Sequence, residues 1–265
     1  MSVLDVARHD LLAVRRSLLL KTVLVAVGLA PVAGIALGFA LTDEVTPRFL
    51  LLSTWLVVGF VVPFVATLTA ATAIAANLEA GRLRLLLSGP TERGEALLGT
   101  LCSRLTVVTV PLALGLAGFA AVFAALPQPV QPGRLAGFAA FTLAAAAAYV
   151  SIGLAVSAAT RSQTRAVGTA LGAFVVTLFW PRIAGILGSL LAGDSGLLLS
   201  ATAFDVLGRL SPFGAYSQVI SDPGAIYGIE VTTPLLGAGA MAVVLLGWIV
   251  GPLAVGYRRF SRVDL

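Results

Sequence analysis

The chain consists of long uncharged blocks separated by short charged segments. A helix needs about 20 mostly apolar residues to cross a hydrocarbon core roughly 30 Å thick. Six blocks reach that length, and Arg182 is the only charge inside any of them: 22–41, 49–78, 105–133, 135–160, 166–193 and 231–257. Polar and apolar residues do not alternate within the blocks, so each block predicts a helix. The pattern therefore predicts an all-α polytopic membrane protein with six transmembrane helices.

Composition supports a membrane environment and excludes several chemistries. Hydrophobic residues make up 58% of the chain and charged residues 11%, against roughly 25% charged in soluble domains. Cys102 is the single cysteine and His9 the single histidine, which excludes an intrachain disulfide, a cysteine-based zinc site and a histidine cluster. Lys21 is the only lysine and no phosphate-loop motif precedes it, so the chain lacks a P-loop for ATP. We predict no catalytic, cofactor or metal site.

The predicted membrane interior carries almost no charge. No Asp, Glu, Lys or His lies deep in any block, whereas ion and proton pathways usually contain such residues. This argues against a proton-coupled carrier, a voltage sensor and an intramembrane protease. Arg182 lies about 24 Å along its helix, counted from Ala166 at 1.5 Å per residue. It either snorkels to the interface or contacts an anionic substrate or an interface partner.

Arginine and lysine placement predicts the orientation. Six spans put both termini on one side, and most of the 17 basic residues lie on that side. Short loops rich in arginine and lysine stay in the cytoplasm, so both termini are predicted to be cytoplasmic in a multi-pass cell-membrane protein. The net charge of +5 is thus a topology signal. No basic residues gather on a soluble face, so we predict no nucleic-acid binding.

The N-terminal segment, residues 1–21, predicts an amphipathic helix. Apolar residues recur there at spacings of three and four: Leu4, Ala7, Leu11, Val14 and Leu18. Such a helix lies flat at the membrane interface, its apolar stripe in the acyl region. The simpler alternative is a positively charged anchor that only orients the first span.

The longest predicted cytoplasmic segment is 77–104, which holds three glutamates and four arginines. Gly89-Pro90 interrupts any helix there. Thr91 is suited to cap a new helix that starts at Glu92 and continues into the third span. A helix, a break and a second helix form either a rigid projection for a soluble partner or an ordinary connector.

The segment 194–230 is the only large predicted extracytoplasmic element. Phe204, Val206, Leu207 and Leu210 suit a short interfacial helix, and 211–213 and 222–224 read as turns. The segment either gates an exit or binds an external partner, or it caps the bundle. Three glycine pairs within the spans have the spacing that allows close helix approach: Gly34 and Gly38, Gly168 and Gly172, and Gly247 and Gly251.

The loop also carries a recognisable pattern. An acidic residue and a glycine precede a basic, leucine-rich stretch, which is followed by Ser-x-Pro-x-x-Arg-x-Glu: Glu79, Gly81, Arg82, Arg84, Ser88, Pro90, Arg93 and Glu95. This resembles the type-two ABC exporter permeases, in particular small six-helix permeases similar to the membrane subunit of the nitrous-oxide-reductase maturation transporter. The stretches 153–168 and 210–216 and the C-terminal YRRFSRVDL are also similar to that family.

The resemblance implies a function. The chain would be one permease domain, 1–265, with 1–21 as the connector helix and 77–104 as the coupling loop. The eight loop residues would couple to a cytoplasmic ABC ATPase subunit, and a second permease copy or homologue would complete the transporter. The chain itself would be no enzyme and would need no cofactor. Two alternatives stay open: a non-transporting membrane scaffold or assembly factor that binds another cytoplasmic partner, and an ion-coupled carrier.

Overall fold

The computed structural model describes residues 3–16, 18–42, 46–79, 93–126, 132–191, 201–221 and 237–261. All regular elements within these ranges are helices: α1 Val3–Arg16, α2 Leu18–Leu41, α3 Pro47–Ala71, α4 Ala75–Glu79, α5 Arg93–Ala124, α6 Pro132–Ala159, α7 Gln163–Leu191, α8 Ala201–Arg209, α9 Pro212–Ser221 and α10 Ala238–Ser261. Six spans are long and apolar enough to cross a membrane: α2, α3 with α4, α5, α6, α7 and α10. The six predicted helices are thereby confirmed. Orientation and the interfacial placement of 1–21 stay predictions.

Helix α6 lies at the centre of the bundle. It packs extensively against α3 on one side and α10 on the other, and it also contacts α5, α7 and α9. Glycines make the close contacts, because a helix without a side chain at the crossing point can approach its neighbour's backbone. Gly153 of α6 lies against the carbonyl of Thr67 in α3, and a Cβ on Gly256 of α10 would lie 2.8 Å from the Cα of Ala155.

Only the first of the three predicted glycine pairs packs against another helix in the described part of the chain. Gly34 lies against the backbone of Thr54, and a Cβ on Gly38 would lie 2.7 Å from Ser53 Oγ. These contacts join α2 to α3. No described heavy atom lies within 4 Å of the Cβ position at any glycine of the other two pairs, so neither of these pairs makes a close helix contact in the described part of the chain.

The second apolar block predicts one helix, and the structure divides it in two. α3 ends at Ala71 and α4 begins at Ala75. The N–H of Ala73 donates to Ala70 O at 3.1 Å, three residues back. The N–H groups of Ile74 and Ala75 donate to the Oγ of Ser157, each at 2.9 Å. The break therefore depends on the Ser157 Oγ acceptor in α6. The sequence of the second span alone gives no sign of that acceptor.

The short helices α8 and α9 lie together at one end of the bundle. A helix around Phe204 was predicted and α8 lies there, but α9 was not predicted because Ser211-Pro212 reads as a turn. Pro212 instead takes the first helical position, where its missing N–H leaves no bond unmade, and Ser211 Oγ accepts from Gly214 N at 2.9 Å. α9 packs among α3, α6, α7 and α10, and its buried Tyr216 hydroxyl lies 3.2 Å from Thr142 Oγ1. The predicted turn at 222–224 lies outside the described residues.

Two tryptophans, one in α7 and one in α10, donate hydrogen bonds to the backbone at the end of α8. The indole N–H of Trp180 donates to Leu207 O at 2.9 Å and that of Trp248 to Leu210 O at 2.7 Å. Replacing both tryptophans with phenylalanine should lower the free energy of unfolding by about 2 kcal/mol, roughly 1 per hydrogen bond. Thermal unfolding in detergent measures the change. Trp55→Phe is the matched control because its buried indole nitrogen has no partner among the described residues. Equal losses in the control and in the double variant would contradict this account.

Candidate functional site

Several helix ends that flank the predicted coupling loop meet at one end of the bundle, called the α1 end below. There the carboxylate of Glu79, the last residue of α4, contacts the start of α7. A Cβ on Gly94, in the first turn of α5, would lie 3.6 Å from Cε2 of Tyr257 in α10. α1 packs along the same part of α5. The α1 end therefore gathers parts of five helices around the two attachment points of the loop.

Helix α5 is longer than a membrane core is thick. Its 32 residues span about 48 Å at 1.5 Å per residue, and a hydrocarbon core is roughly 30 Å thick. The helix predicted to start near Glu92 and lead into the third span is thus one continuous helix with the span itself. Glu95 lies in its first turn, where a carboxylate interacts favourably with the helix dipole.

Helix α1 is held on α5 by a glycine contact and an ion pair. A Cβ on Gly99 would lie 2.6 Å from the Cβ of Val6, so the two helices touch closely there. One turn further along each helix, Arg104 Nη2 lies 3.1 Å from Asp10 Oδ1, with side-chain exposures of 9% and 18%. Asp10 was not singled out from the sequence. Asp10 lies four residues after the buried Val6, and residues four apart share one face of a helix. This spacing is the signal that could have indicated that Asp10 lies on the face of α1 that packs against α5.

Three hydrogen bonds attach α4 and the residue before it to the α6–α7 turn, a name used here for the last turn of α6, the first residue of α7 and the residues between them; we call these bonds the α4 clasp. Two run from the N–H groups of Ile74 and Ala75 to Ser157 Oγ. The third runs from the N–H of Gln163 to Glu79 Oε2 at 2.8 Å. Ser157 is fully buried and lies in the last turn of α6, whereas Gln163 is the first residue of α7. Both ends of α4 are thus bonded to one short stretch of chain.

The structure locates part of the predicted coupling site. Glu79 lies in the α4 clasp, and Arg93 and Glu95 lie in the first turn of α5. The side chain of Arg93 lies outside the described part, as do five predicted residues in full: Gly81, Arg82, Arg84, Ser88 and Pro90. Their assignment to ATPase coupling stays a prediction.

Arg182 lies on α7 toward the α8–α9 end, away from the coupling residues. It is exposed, and it does not line the cavity of about 380 Å³ that α7, α8 and α9 enclose around Pro181, Gly188 and Arg209. This position agrees with a snorkelling arginine. The contact to an anionic substrate stays a prediction.

A groove of about 700 Å³ runs between α6 and α10. It is lined by Ile152, Val244 and Trp248 among other apolar residues, and Arg259 is the one charged residue in its lining. Among the described residues, no three His, Cys, Asp or Glu side chains gather as a metal site would require. The described site is thus built from helix contacts, one ion pair and the α4 clasp.

These features define the class: an all-helical, multi-pass membrane protein whose loop-bearing helix ends gather at one end of the bundle. Over residues 6–265 the chain matches the family model described as "ABC-2 family transporter protein". The chain belongs to that family, whose members are permease subunits of ABC transporters. It is also 29% identical over 216 residues to the "Probable ABC transporter permease protein NosY" of Pseudomonas aeruginosa, covering 77% of this chain and 76% of that protein. The resemblance drawn from the loop is confirmed.

Proposed function

We propose that this chain is the permease subunit of an ABC exporter, driven by a separate ATPase subunit that docks at the α1 end. The observation that carries the proposal is the gathering of α1, α4 and the starts of α5 and α7 around the loop attachments. Displacing the loop would therefore displace several helices together. The name of the Pseudomonas aeruginosa relative supports the same class of function, and the exporter direction rests on the resemblance of the loop.

The α1 end is proposed to face the cytoplasm. Among the described residues, the basic side chains beside this end of the bundle are Arg8, Lys21, Arg104, Arg161, Arg165, Arg258 and Arg259. Those toward the opposite end are Arg48, Arg134, Arg182 and Arg209. Because positive residues are retained on the cytoplasmic side, this distribution supports an inward-facing α1 end, where a soluble ATPase has access to the loop.

The transporter is proposed to contain two permease copies or homologues and two ATPase subunits. Closure of the ATPase pair on ATP would push the coupling loops and shift the helix bundles between inward-facing and outward-facing states. This is coupling between two sites through an element with two arrangements. The permease contributes the path and the moving helices, and the hydrolysis takes place in the partner subunit.

The docking assignment predicts a loss of binding when the start of α5 is changed. Alanine at both Arg93 and Glu95 should weaken ATPase association at least about 30-fold, as expected when interface residues worth 2 kcal/mol or more are truncated. The dissociation constant is measured with the cognate ATPase, first identified by co-expression and co-purification. Arg48→Ala, an exposed change at the opposite end of the bundle, is the control and should leave association unchanged.

Three outcomes would contradict the proposal. Unchanged association in the Arg93 and Glu95 variant would remove the docking site. A wild-type chain that co-purifies with no nucleotide-binding protein would favour the scaffold, and gradient-driven transport by the purified chain alone would favour the carrier. Sidedness is tested in the same assay, because the ATPase should bind inside-out vesicles and not right-side-out vesicles.

A further inference from the structure

We propose that Ser157 and Glu79 are positioning residues that make α4 move as one unit with the α6–α7 turn. A displacement of the coupling loop would then reach α7 through the α4 clasp, ahead of α3. This inference deepens the proposed function and rests on it for the source of the displacement. Docking alone does not require the clasp, which connects parts of the chain more than 80 residues apart.

Ser157 supplies a helix cap from another helix. The first N–H groups of any helix lack partners within it, and a side-chain oxygen just before the helix usually accepts from one of them. At the start of α4, the N–H groups of its first residue Ala75 and of the preceding Ile74 both reach the Ser157 Oγ of α6 instead. Because Ser157 is fully buried, water cannot easily replace it. The start of α4 is therefore bonded to α6.

Glu79 bonds the other end of α4 to α7. Its carboxylate accepts from the N–H of Gln163, the first residue of α7. An ionised acceptor at a helix N-terminus combines a charge-assisted hydrogen bond with a favourable helix dipole. Glu79 is also the last residue before the loop segment 80–92. A pull on that segment is thus applied directly at the bond to α7.

The link from α4 back to α3 keeps only part of the regular backbone ladder. The N–H of Ala76 still donates to Thr72 O at 3.3 Å. The N–H groups of Ile74 and Ala75 are directed to Ser157, so the regular backbone ladder is interrupted between α3 and α4. Helices bend where that ladder is interrupted. With bonds to the α6–α7 turn at both ends and a break toward α3, α4 follows the turn. Glu79, predicted as an ATPase-coupling residue, then acts through α7.

The first experiment measures the clasp in the full-length chain alone, in lipid nanodiscs, by residue-resolved amide hydrogen exchange. Ser157→Ala should speed exchange at Ile74 and Ala75 by about ten- to a hundredfold, because two buried donors lose their acceptor. Ser151→Ala is the matched control. Ser151 is also buried in α6, but its hydroxyl donates to Ala147 O of its own helix. Equal exchange in the two variants would overturn the clasp.

Glu79 is tested in the same way with a conservative rescue. Glu79→Ala should speed exchange at the Gln163 amide, and Glu79→Gln should largely restore protection because its side-chain carbonyl still accepts a hydrogen bond. If the Gln163 amide is equally protected in the wild type, Glu79→Ala and Glu79→Gln, the carboxylate does not hold α7, and this half of the proposal would be wrong.

The second experiment measures transmission in the complex with the ATPase. After Cys102→Ser removes the natural thiol, spin labels at Lys21 and Thr169, exposed positions on α2 and α7, report the distance change on adding ATP and vanadate. Ser157→Ala should at least halve that change while ATPase affinity stays within about twofold, and Ser151→Ala should respond like the parent chain. A full response in Ser157→Ala would overturn transmission through the clasp. A parent chain that binds no ATPase would overturn the proposed function and the transmission step, and the exchange data would still decide whether the clasp exists.

Discussion

Replacing Arg104 with methionine should lower the free energy of unfolding by about 2–3 kcal/mol and release α1 from α5. The change leaves Asp10 on the packing face without its cation, and removing one member of a buried pair leaves an uncompensated charge. The expected loss lies below the full range for buried pairs because Asp10 is still 18% exposed. Methionine keeps an apolar stem of similar length, so packing along α5 is largely retained.

Two measurements and a control separate this effect from general damage. Unfolding in detergent gives the stability, and amide exchange across 3–12 reports whether α1 has come loose. Arg209→Met is the control, because its partner Asp205 lies four residues away on the same helix and is 48% exposed, and exposed pairs of that kind contribute about 0.3–0.5 kcal/mol. A second change, Asp10→Leu, should recover part of the loss in Arg104→Met. Equal losses at Arg104 and Arg209 would contradict the structural role of the pair.

The sequence was sufficient for the spans because each span is defined by its own residues. Twenty uncharged positions in a row satisfy the requirement of the hydrocarbon core locally. The start of α5 was also predictable, since the helix-breaking pair Gly89-Pro90 and the helix signals that follow are neighbours in the chain. Arg93 and Glu95 accordingly lie in the first helical turn, as the pattern predicts.

The features that escaped prediction depend on partners far away in sequence. The break after Ala71 requires Ser157, and the role of Glu79 requires the amide of Gln163, 84 residues later. Nothing in a stretch of threonine and alanine indicates that an acceptor from another helix will take over two backbone donors. α9 was missed for a different reason. Pro212 is equally suited to a turn and to the first position of a helix, and only burial of the residues that follow decides between them.

A large loss of stability is expected from a side chain at Gly153. Its face of α6 is also the face that carries Ser157, because residues four apart lie one turn apart on the same side of a helix. A Cβ at position 153 would meet the backbone carbonyl of Thr67 and would lie 2.9 Å from the Cβ of Ala70. A backbone atom in a packed helix cannot rotate away as a side chain can, so α3 and α6 would have to separate.

We therefore expect Gly153→Val to lower the free energy of unfolding by about 3 kcal/mol or more, at or above the upper end of overpacking effects. Gly137→Val is the control, since no described heavy atom lies within 4 Å of the Cβ position of Gly137 on the same helix. The free energy of unfolding of Gly137→Val should stay within about 1 kcal/mol of the parent value, and the difference should come mostly from helix propensity. Unfolding in detergent measures both variants, and similar losses would show that α3 and α6 are not in close contact there. Because separation of the two helices also withdraws Ser157, Gly153→Val and not Gly137→Val should speed amide exchange at Ile74 and Ala75.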